Sequence, residues 1–475
     1  LGIDNHAVTV QCRRMGGGFG GKETQAGHLA VWSAVAAHKF GAPVKLRLDR
    51  DDDFLVTGKR HPFSYDYEVG FDGRGRITAL VLTMFANCGF SADLSGPVAD
   101  RAVFHCDNAY FLENVLVASY RCKTNTQSHT AFRGFGGPQG VIAIERILGD
   151  IAGALGLDAF DVRMANLYSD EPLAGGGKRD TTHYQMQVED NILHALMPQL
   201  EQTCNYRARA AEIAAWNVRQ TALRRGIAIT PVKFGISFTA TLFNQAGALV
   251  HVYTDGSVQV NHGGTEMGQG LHTKVAQIVA DELGLPVQRV QVSASDTARV
   301  PNASATAASS GTDLNGRAAQ FAARNVRSNL AAFVAGLDGC GAGEVRFADG
   351  QVTTPQSTRQ FNDVVKAAYA NRIQLWSDGF YRTPKIHYDK ATLTGRPFYY
   401  FAYGAACTEV AIDTLTGESR VLAVDILHDV GHSIHPAIDV GQIEGGFVQG
   451  MGWLTTEELV WEAPDSPRNP GALST

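Results

Sequence analysis

The distribution of glycine is the feature that most restricts how this chain can fold. The sequence has 51 glycines in 475 residues, roughly one residue in nine where a typical protein has about 7%. A glycine segment at the start of a helix brings free backbone N–H groups close to an anion. Five glycine-bearing segments are candidate anion-binding loops: 16–23, 131–137, 263–270, 306–311 and 441–450.

A pattern of loop, helix and strand follows the first of these segments. A helical stretch from Thr24 to Phe40 leads through the phrase GAPV at 41–44 to a strand at 45–48. An acidic turn then starts at Asp49. We expect Trp32 and the other apolar residues of the 24–40 helix to pack in the core.

The same pattern recurs after the third glycine segment. The helix predicted from Leu271 to Leu283 is followed by GLPV at 284–287 and by a strand that leads to Asp296. Its apolar positions fall on one face at helical spacing, and they are Val275, Ile278, Val279 and Leu283.

This repetition predicts an α+β fold built from two related α/β-type halves. We place the boundary in the polar helical region between about 170 and 226, and assign subdomains to residues 1–200 and 201–475. Because residues 6–14 form a predicted strand, we expect the first subdomain to be truncated N-terminally and the second C-terminally. Glycine loops in both halves indicate a large polar ligand held at their interface, with Gln269 and Gln442 as amide partners.

Turn signals and apolar spacing predict further elements. Asp-Gly or Thr-Gly pairs at 72–73, 255–256 and 416–417 predict β-hairpins. Long helices are predicted at 138–155, 206–225 and 315–335.

Composition excludes several classes of protein. The formal net charge of -6 and the absence of a basic stripe argue against nucleic acid as a partner. No run of about eighteen apolar residues predicts a membrane span. The seven cysteines stand far apart without C-x-x-C spacing, which excludes an iron–sulfur motif and favours a reducing cytoplasm.

The first glycine segment alone leaves its ligand open. GGGFGGKE at 16–23 matches the dinucleotide pattern G-x-G-x-x-G, although Asp49 follows later than the acidic residue of that pattern usually does. A nucleotide P-loop fails because Glu23 stands where a hydroxyl should meet magnesium. A tight turn that packs a helix on a strand is the third interpretation.

Several strings together resemble the molybdopterin-binding region of xanthine dehydrogenases and oxidases, which belong to the molybdenum hydroxylases. The resemblance extends over essentially the whole chain. The strings are GGGFGGKE (16–23), DRAVFH (100–105), TAFRGFGGPQG (130–140), KFGISFT (233–239), GGTEMGQGLHTK (263–274), TAAS (306–309) and GQIEGGFVQG (441–450).

The resemblance implies roles for individual residues. Glu23 and Arg101 match the catalytic pair that orients a purine and stabilises the charge that develops on it. The substrate-binding positions are Phe135 and Phe238, which would sandwich the flat ring, with Thr239, Ala307 and Ala308. The cofactor-binding positions are Gly18, Phe19, Gly20, Gly21, Arg133, Gln269, Ala308, Ser310, Gly311 and Gln442.

The implied cofactor is molybdenum-molybdopterin, with or without an appended nucleotide, and no protein side chain ligates the metal. The implied reaction converts hypoxanthine and xanthine to xanthine and urate with water as the oxygen source. Electrons would pass to 2Fe–2S clusters and FAD on another segment or subunit of a dimeric assembly. NAD and oxygen both remain possible as the final acceptor.

One expected residue is missing from the sequence. The family's general-base glutamate lies in a Gly-Glu-Pro-Pro-type segment, and no such segment occurs here. We therefore expect the base on a further part of the same protein or on another chain. The alternatives are an oxidase of aldehydes or other N-heterocycles, and an NAD-binding or scaffolding module.

Overall fold

The computed structural model describes residues 1–300, 302–461 and 472–474, and shows a mixed fold of helices and sheets. The α-helices are α1 (Gly27–Phe40), α2 (Arg50–Val56), α3 (Ser95–His105), α4 (Gly137–Leu155), α5 (Ala159–Asn166), α6 (Leu193–Thr203), α7 (Tyr206–Arg219), α8 (Leu271–Leu283), α9 (Arg317–Asp338), α10 (Phe361–Ala370) and α11 (Pro436–Thr455). In the described part of the chain, none of them combines the length and apolarity needed to cross a bilayer.

The strands are mostly short and form small sheets. They are β1 (Gln11–Cys12), β2 (Phe63–Phe71), β3 (Ile77–Gly89), β4 (Val115–Lys123), β5 (Leu223–Ile236), β6 (Gln245–Val252), β7 (Val258–His262), β8 (Val290–Val292), β9 (Ser295–Asp296), β10 (Arg346–Ala348), β11 (Gln351–Thr353), β12 (Thr358–Gln360), β13 (Trp376–Arg382), β14 (His387–Asp389), β15 (Thr394–Arg396), β16 (Tyr400–Asp413), β17 (Ser419–His428), β18 (Leu459–Trp461) and β19 (Ala472–Ser474).

The chain divides into two compact units, each of which gathers several stretches. The first unit comprises Leu1–Gly18, Ala240–Pro384 and His432–Glu444, and the second comprises Phe19–Thr239, Lys385–Gly431 and Gly445–Thr475. Because this division follows spatial contacts, it does not test the subdomains 1–200 and 201–475, which stay a prediction. The expected truncation at residue 475 lies outside the described residues.

The first unit is built on a four-stranded sheet with the order β13-β6-β7-β8. Strands β7 and β8 run parallel, and α8 connects them. Helix α8 runs from Leu271 to Leu283, as predicted, and buries Val275, Val279 and Leu283 against the core. Ile278, expected on the same face, is half-buried.

The second unit contains the sheets β2-β3-β4 and β17-β16-β5. Alternate residues of β3, among them Leu80 and Leu82, are buried in one core with Ile144, Ile147 and Ile151 of α4. Burying each such side chain contributes about 1.5–3 kcal/mol. Helix α3 connects the parallel strands β3 and β4 and packs against α4, which fixes its position.

Several local predictions are confirmed. The three predicted turns join β2 to β3, β6 to β7 and β16 to β17 as antiparallel pairs. The helices predicted at 138–155 and 315–335 correspond to α4 and α9.

Other local predictions are wrong. Residues 43–49 carry no regular structure, and the acidic stretch is helix α2, because the Asp49 carboxylate caps the N–H of Asp52 at 2.8 Å. The strand at 6–14 is limited to β1, after a 3₁₀ turn. The helix predicted to reach residue 225 ends at Arg219, because pairing with β16 recruits the chain into β5 from Leu223 onward.

The expected burial of the 24–40 helix is also wrong. Trp32 is 51% exposed and Phe40 is 72% exposed, and α1 has no buried residue. Periodicity identifies the residues that share a helix face, but it does not show whether another element covers that face.

The segment 441–450 is not a loop but part of α11. Each glycine inside a helix costs about 1 kcal/mol relative to alanine, so composition alone disfavours this helix. The helix forms nonetheless, although none of its residues is buried.

We predict that two glycines of α4 respond in opposite ways to alanine. A Cβ on Gly140 would lie 2.3 Å from the carbonyl oxygen of Ala102 in α3, whereas one on Gly149 meets none of the described residues within 4 Å. Gly140→Ala should destabilise the protein by about 1–3 kcal/mol through overpacking. Gly149→Ala, the matched control, should stabilise it by up to about 1 kcal/mol. Equal effects in denaturant unfolding would contradict the close approach of α3 and α4.

Candidate active site

Arg101 lies in α3 of the second unit and is 2% exposed. Its Nη1 donates to the carbonyl of Ser237 at 3.0 Å, and its Nη2 donates to the carbonyl of Gly235. The guanidinium carbon lies 4.8 Å from the ring centre of Phe234 and 5.1 Å from that of Phe398. Backbone oxygens and aromatic faces therefore hold this cation.

The charge of Arg101 has no acidic partner in the described part of the chain. None of the ion pairs formed there includes it, and its buried Nε has no hydrogen-bond partner. Burial lowers the pKa of Arg101 to about 10, so the side chain remains charged at neutral pH. A buried cation without an anion costs several kcal/mol. An anionic or strongly polar ligand would offset that cost.

Glu23 is the last residue of the first glycine segment, belongs to the same unit as Arg101 and is partly buried. Burial, with a smaller contribution from the charge of Asp93, raises the pKa of Glu23 to about 7. The carboxyl group is therefore half protonated near neutral pH and can donate or accept a hydrogen bond. Glu23 and Arg101, both within the described residues, form no direct ion pair.

The two aromatic residues predicted to bind substrate are close in sequence to residues that pack around Arg101. Phe238 follows Ser237, whose carbonyl binds the guanidinium. Gly137, two residues after Phe135, packs so closely on Phe234 that a Cβ would lie 2.5 Å from the ring. Phe135 itself has a left-handed φ of 54°, a strained conformation of the kind that occurs at functional sites. Thr239 is buried.

The first two glycine segments meet within the second unit. A Cβ on Gly20 would lie 2.9 Å from the backbone of Ala131, and the Arg133 guanidinium lies 6.0 Å from the ring centre of Phe19. Arg133 also approaches α11, where its Nη2 would be 3.4 Å from a Cβ on Gly446. The glycines of α11 therefore leave space for an arginine. Gly21 lies on the same turn, and nothing lies within 4 Å of its Cβ position.

In the first unit the segment 263–270 lies against 306–311. The N–H of Thr265 donates to the hydroxyl of Thr306 at 2.8 Å. The amide of Gln269 is used within its own segment, since its oxygen accepts from the N–H of Met267 and its nitrogen donates to the carbonyl of Thr265. Gly18 lies beside Met267, and Gln442 is exposed on α11.

The prediction that 263–270 offers free N–H groups to an anion is wrong for Gly268 and Gly270. The Glu266 carboxylate accepts from the N–H groups of Gly268, Gly270 and His272 at 2.8, 3.1 and 3.0 Å. Burial alone would raise the pKa of Glu266, but these bonds hold it below its ordinary value. Glu266 thus occupies the N-terminus of α8, as an acidic cap does.

The segment 306–311 fits an anionic cofactor better. Ala308 and Ser309 both have φ of 56°, a left-handed conformation that is uncommon without glycine. Buried Ser310 donates its hydroxyl to the carbonyl of Ala307 at 3.2 Å, and Gly311 opens a helical run that continues through α9. Strained backbone at the start of a long helix is a favourable place for phosphate. The residues present therefore fit a phosphorylated pterin.

Comparison with known families identifies the chain. Residues 199–474 and residues 1–167 match two families that share the description Molybdopterin cofactor-binding domain. The chain belongs to the molybdopterin cofactor-binding domain family. This confirms the family resemblance, the fold class and the pterin cofactor predicted from the sequence.

Curated relatives of this molybdopterin-binding chain include enzymes named xanthine dehydrogenase. It is 45% identical over 473 residues to the xanthine dehydrogenase/oxidase of Gallus gallus, covering 99% of the chain and 33% of the relative. It is 43% identical to the xanthine dehydrogenase of Oryza sativa subsp. japonica, covering 97% and 32%. The chain thus spans about a third of the length of the curated relatives that it matches.

Solved structures share the fold at lower identity. Quinoline 2-oxidoreductase from Pseudomonas putida 86 matches with a TM-score of 0.83 and 24% identity, covering 97% of this chain and 58% of that one. The CO dehydrogenase from Oligotropha carboxidovorans matches with a TM-score of 0.84 and 23% identity, covering the same shares.

Sequence reasoning missed the residues that support Arg101. His105 and Asn108 contact the same strand edge, and Phe234 and Phe398 cover the guanidinium. A signal was present in DRAVFH, because Arg101 and His105 stand four residues apart and so share a helix face. No local signal pointed to Phe398, which is distant in sequence.

We predict that Glu23 makes the free energy of unfolding decrease as pH rises. In the folded protein its pKa is about 7 against an ordinary value of 4.5, so the unfolded chain releases the proton first as pH rises. Between about pH 5 and 8 the protein should lose about 2 kcal/mol relative to Glu23→Gln. Urea unfolding across this range, with Glu68→Gln on exposed β2 as control, checks the prediction. A pH-independent difference between Glu23→Gln and the parent would contradict it.

Proposed function

We propose that the protein formed with this chain hydroxylates hypoxanthine and xanthine, giving xanthine and urate with water as the oxygen source. The observation that carries the proposal is the buried Arg101 cation, which has no acidic partner within the described residues and retains an unused Nε–H. The names of the relatives, xanthine dehydrogenase and xanthine dehydrogenase/oxidase, support the same substrate class.

Attack of a nucleophile on a purine carbon would place negative charge on the ring and on its carbonyl oxygen. Arg101 would donate to that oxygen, and the bond would strengthen as the charge develops. Because two backbone carbonyls already hold the guanidinium, it need not reorganise when substrate binds. Glu23, with its pKa near 7, would donate to a ring nitrogen in its protonated form and accept from a ring N–H in its ionised form.

The remaining substrate contacts are proposed to be apolar. Phe135 and Phe238 would lie on the two faces of the ring, where offset stacking contributes about 0.5–1.5 kcal/mol beyond burial. Buried Thr239 and the small side chains of Ala307 and Ala308 would limit the size of the ligand.

The pterin cofactor would be held by glycine segments and polar side chains of this chain. When bound, molybdenum-molybdopterin supplies the two-electron redox chemistry. Arg133 would neutralise anionic charge, while the backbone at Ala308, Ser310 and Gly311 would face the phosphate. The further proposed contacts are Gly18, Phe19, Gly20, Gly21, Gln269 and Gln442.

Further parts of the protein are needed for turnover. We propose that 2Fe–2S clusters and FAD lie on another segment or subunit, in a dimeric assembly located in the cytoplasm. We assign the general base to none of the residues of this chain. The chain spans about a third of the relatives' length, which leaves room for these functions elsewhere.

We predict that Arg101→Met separates purine from aldehyde oxidation. In the holoenzyme, kcat/KM for xanthine should fall by roughly a hundredfold to a thousandfold, as for loss of one preorganised donor. Turnover of an aromatic aldehyde, which offers no ring oxygen to Arg101, should change little, and molybdenum content should be preserved. Unchanged xanthine turnover would overturn the purine assignment and favour an aldehyde or another N-heterocycle as the substrate.

A further inference from the structure

We propose that His105 is a positioning residue for Arg101, which it holds in place through the backbone of Gly235. The inference rests on the proposed function, because it assumes that Arg101 meets the substrate. His105 has no role in that function as stated above.

The contacts of His105 join α3 to the end of β5. Its Nε2 accepts from the N–H of Gly235 at 3.1 Å, and its Nδ1 lies 3.0 Å from the carbonyl oxygen of Arg101. Because Nε2 accepts, Nδ1 must carry the proton and donate, which is the neutral imidazole with the proton on Nδ1. The N–H of Gly235 therefore binds His105 while its carbonyl binds the Arg101 guanidinium.

Aromatic packing restrains the backbone of Gly235. A Cβ on Gly235 would lie 2.3 Å from ring atoms of Phe398, so the ring rests directly on the backbone. The imidazole centre lies 4.6 Å from the ring centre of Phe234 and 5.1 Å from that of Phe398. These are the two rings that also cover the guanidinium. His105 thus fills the gap between them.

Further side chains bind the backbone of β5 next to His105. Strand β5 pairs with β16 along one edge, and no other described strand pairs with its second edge. On its other edge, Asn108 accepts from the N–H of Lys233 at 3.2 Å and donates to the carbonyl of Pro231 at 2.9 Å. Asn108 and His105 therefore bind alternate residues of β5, and Arg101 binds Gly235 and then Ser237, just after the strand ends.

Burial, followed by the positive charges of Arg101 and Lys233, holds the pKa of His105 well below its ordinary value. The neutral imidazole of His105 therefore places no second positive charge beside the guanidinium. The neutral form also agrees with the hydrogen bond from Gly235, for which Nε2 must be an acceptor.

The test compares two amides of different length in the holoenzyme. Gln at position 105 can place its oxygen where Nε2 stands, whereas Asn can reach only the position of Nδ1. We expect His105→Asn to lower kcat/KM for xanthine by about tenfold to a hundredfold, the scale of a small misplacement. His105→Gln should retain most of the xanthine turnover, and aldehyde turnover should change little in both. If His105→Asn fails to fold, His105→Phe takes its place, since it keeps the ring and removes both hydrogen bonds.

His183→Gln is the matched control. The His183 side chain is 8% exposed and its Nε2 lies 2.9 Å from the carbonyl oxygen of Val103 in α3, and none of its hydrogen bonds among the described residues reaches the backbone of β5. We expect His183→Gln to leave the ratio of xanthine to aldehyde turnover unchanged. Hydrogen exchange of the Gly235 amide supplies a readout besides activity, with protection kept in His105→Gln and lost in His105→Asn.

A double-mutant cycle separates this inference from the purine assignment. In the Arg101→Met background, His105→Asn should cause little further loss of xanthine turnover, because both changes act through one guanidinium. Full additivity, equal behaviour of the Asn and Gln variants, or equal loss with aldehyde would overturn the role of His105. If Arg101→Met itself leaves xanthine turnover unchanged, the proposed function fails instead.

Discussion

The edge of β5 that faces α3 is the constraint on which the candidate site depends. A strand edge presents unpaired N–H and C=O groups, and burying them requires partners. Among the described residues the partners are side chains rather than a further strand, and they come from Arg101, His105 and Asn108. The hydrogen bonds that satisfy this strand edge also fix the guanidinium of Arg101. They hold it at the end of β5, where the chain enters the 237–239 segment.

These contacts hold the guanidinium of Arg101 in a buried, largely apolar environment. Carbonyl bonds to Gly235 and Ser237 and the faces of Phe234 and Phe398 offset part of the cost of burying Arg101. An acidic partner would stabilise the charge further but would also neutralise its field. In the part of the chain that the structure describes, the Nε–H is instead left unused. A preorganised donor of this kind suits stabilisation of charge that appears only during a reaction.

The sequence predicted elements whose signals are local. The run from Leu271 to Leu283 has helical spacing and a glycine after its end, and it is α8. Turn pairs such as Asp72-Gly73 predicted hairpins, because their backbone preference is a property of two residues. The family strings identified the segments that carry the candidate site, since each string is continuous in the chain.

Features that depend on residues distant in the chain could not be predicted from the sequence. Exposure of Trp32 depends on what faces α1, and the helix at 441–450 forms despite its glycines. The carboxylate of Glu266 occupies N–H groups that a glycine pattern alone would leave for an anion. The residues that surround Arg101 include Ser237, which is more than a hundred positions away in the sequence. The contacts of Glu266 and Arg101 are set by tertiary structure rather than by composition or periodicity.

The most direct measurement is a high-resolution structure of the holoenzyme, determined with and without a bound purine. Arg101 should keep its bonds to the carbonyls of Gly235 and Ser237 in both states, with no carboxylate beside it when the purine is absent. With purine bound, a further N–H of the guanidinium should meet a ring oxygen at about 2.7–3.2 Å. A carboxylate from elsewhere in the complete protein paired with Arg101, or a purine bound away from it, would contradict the account.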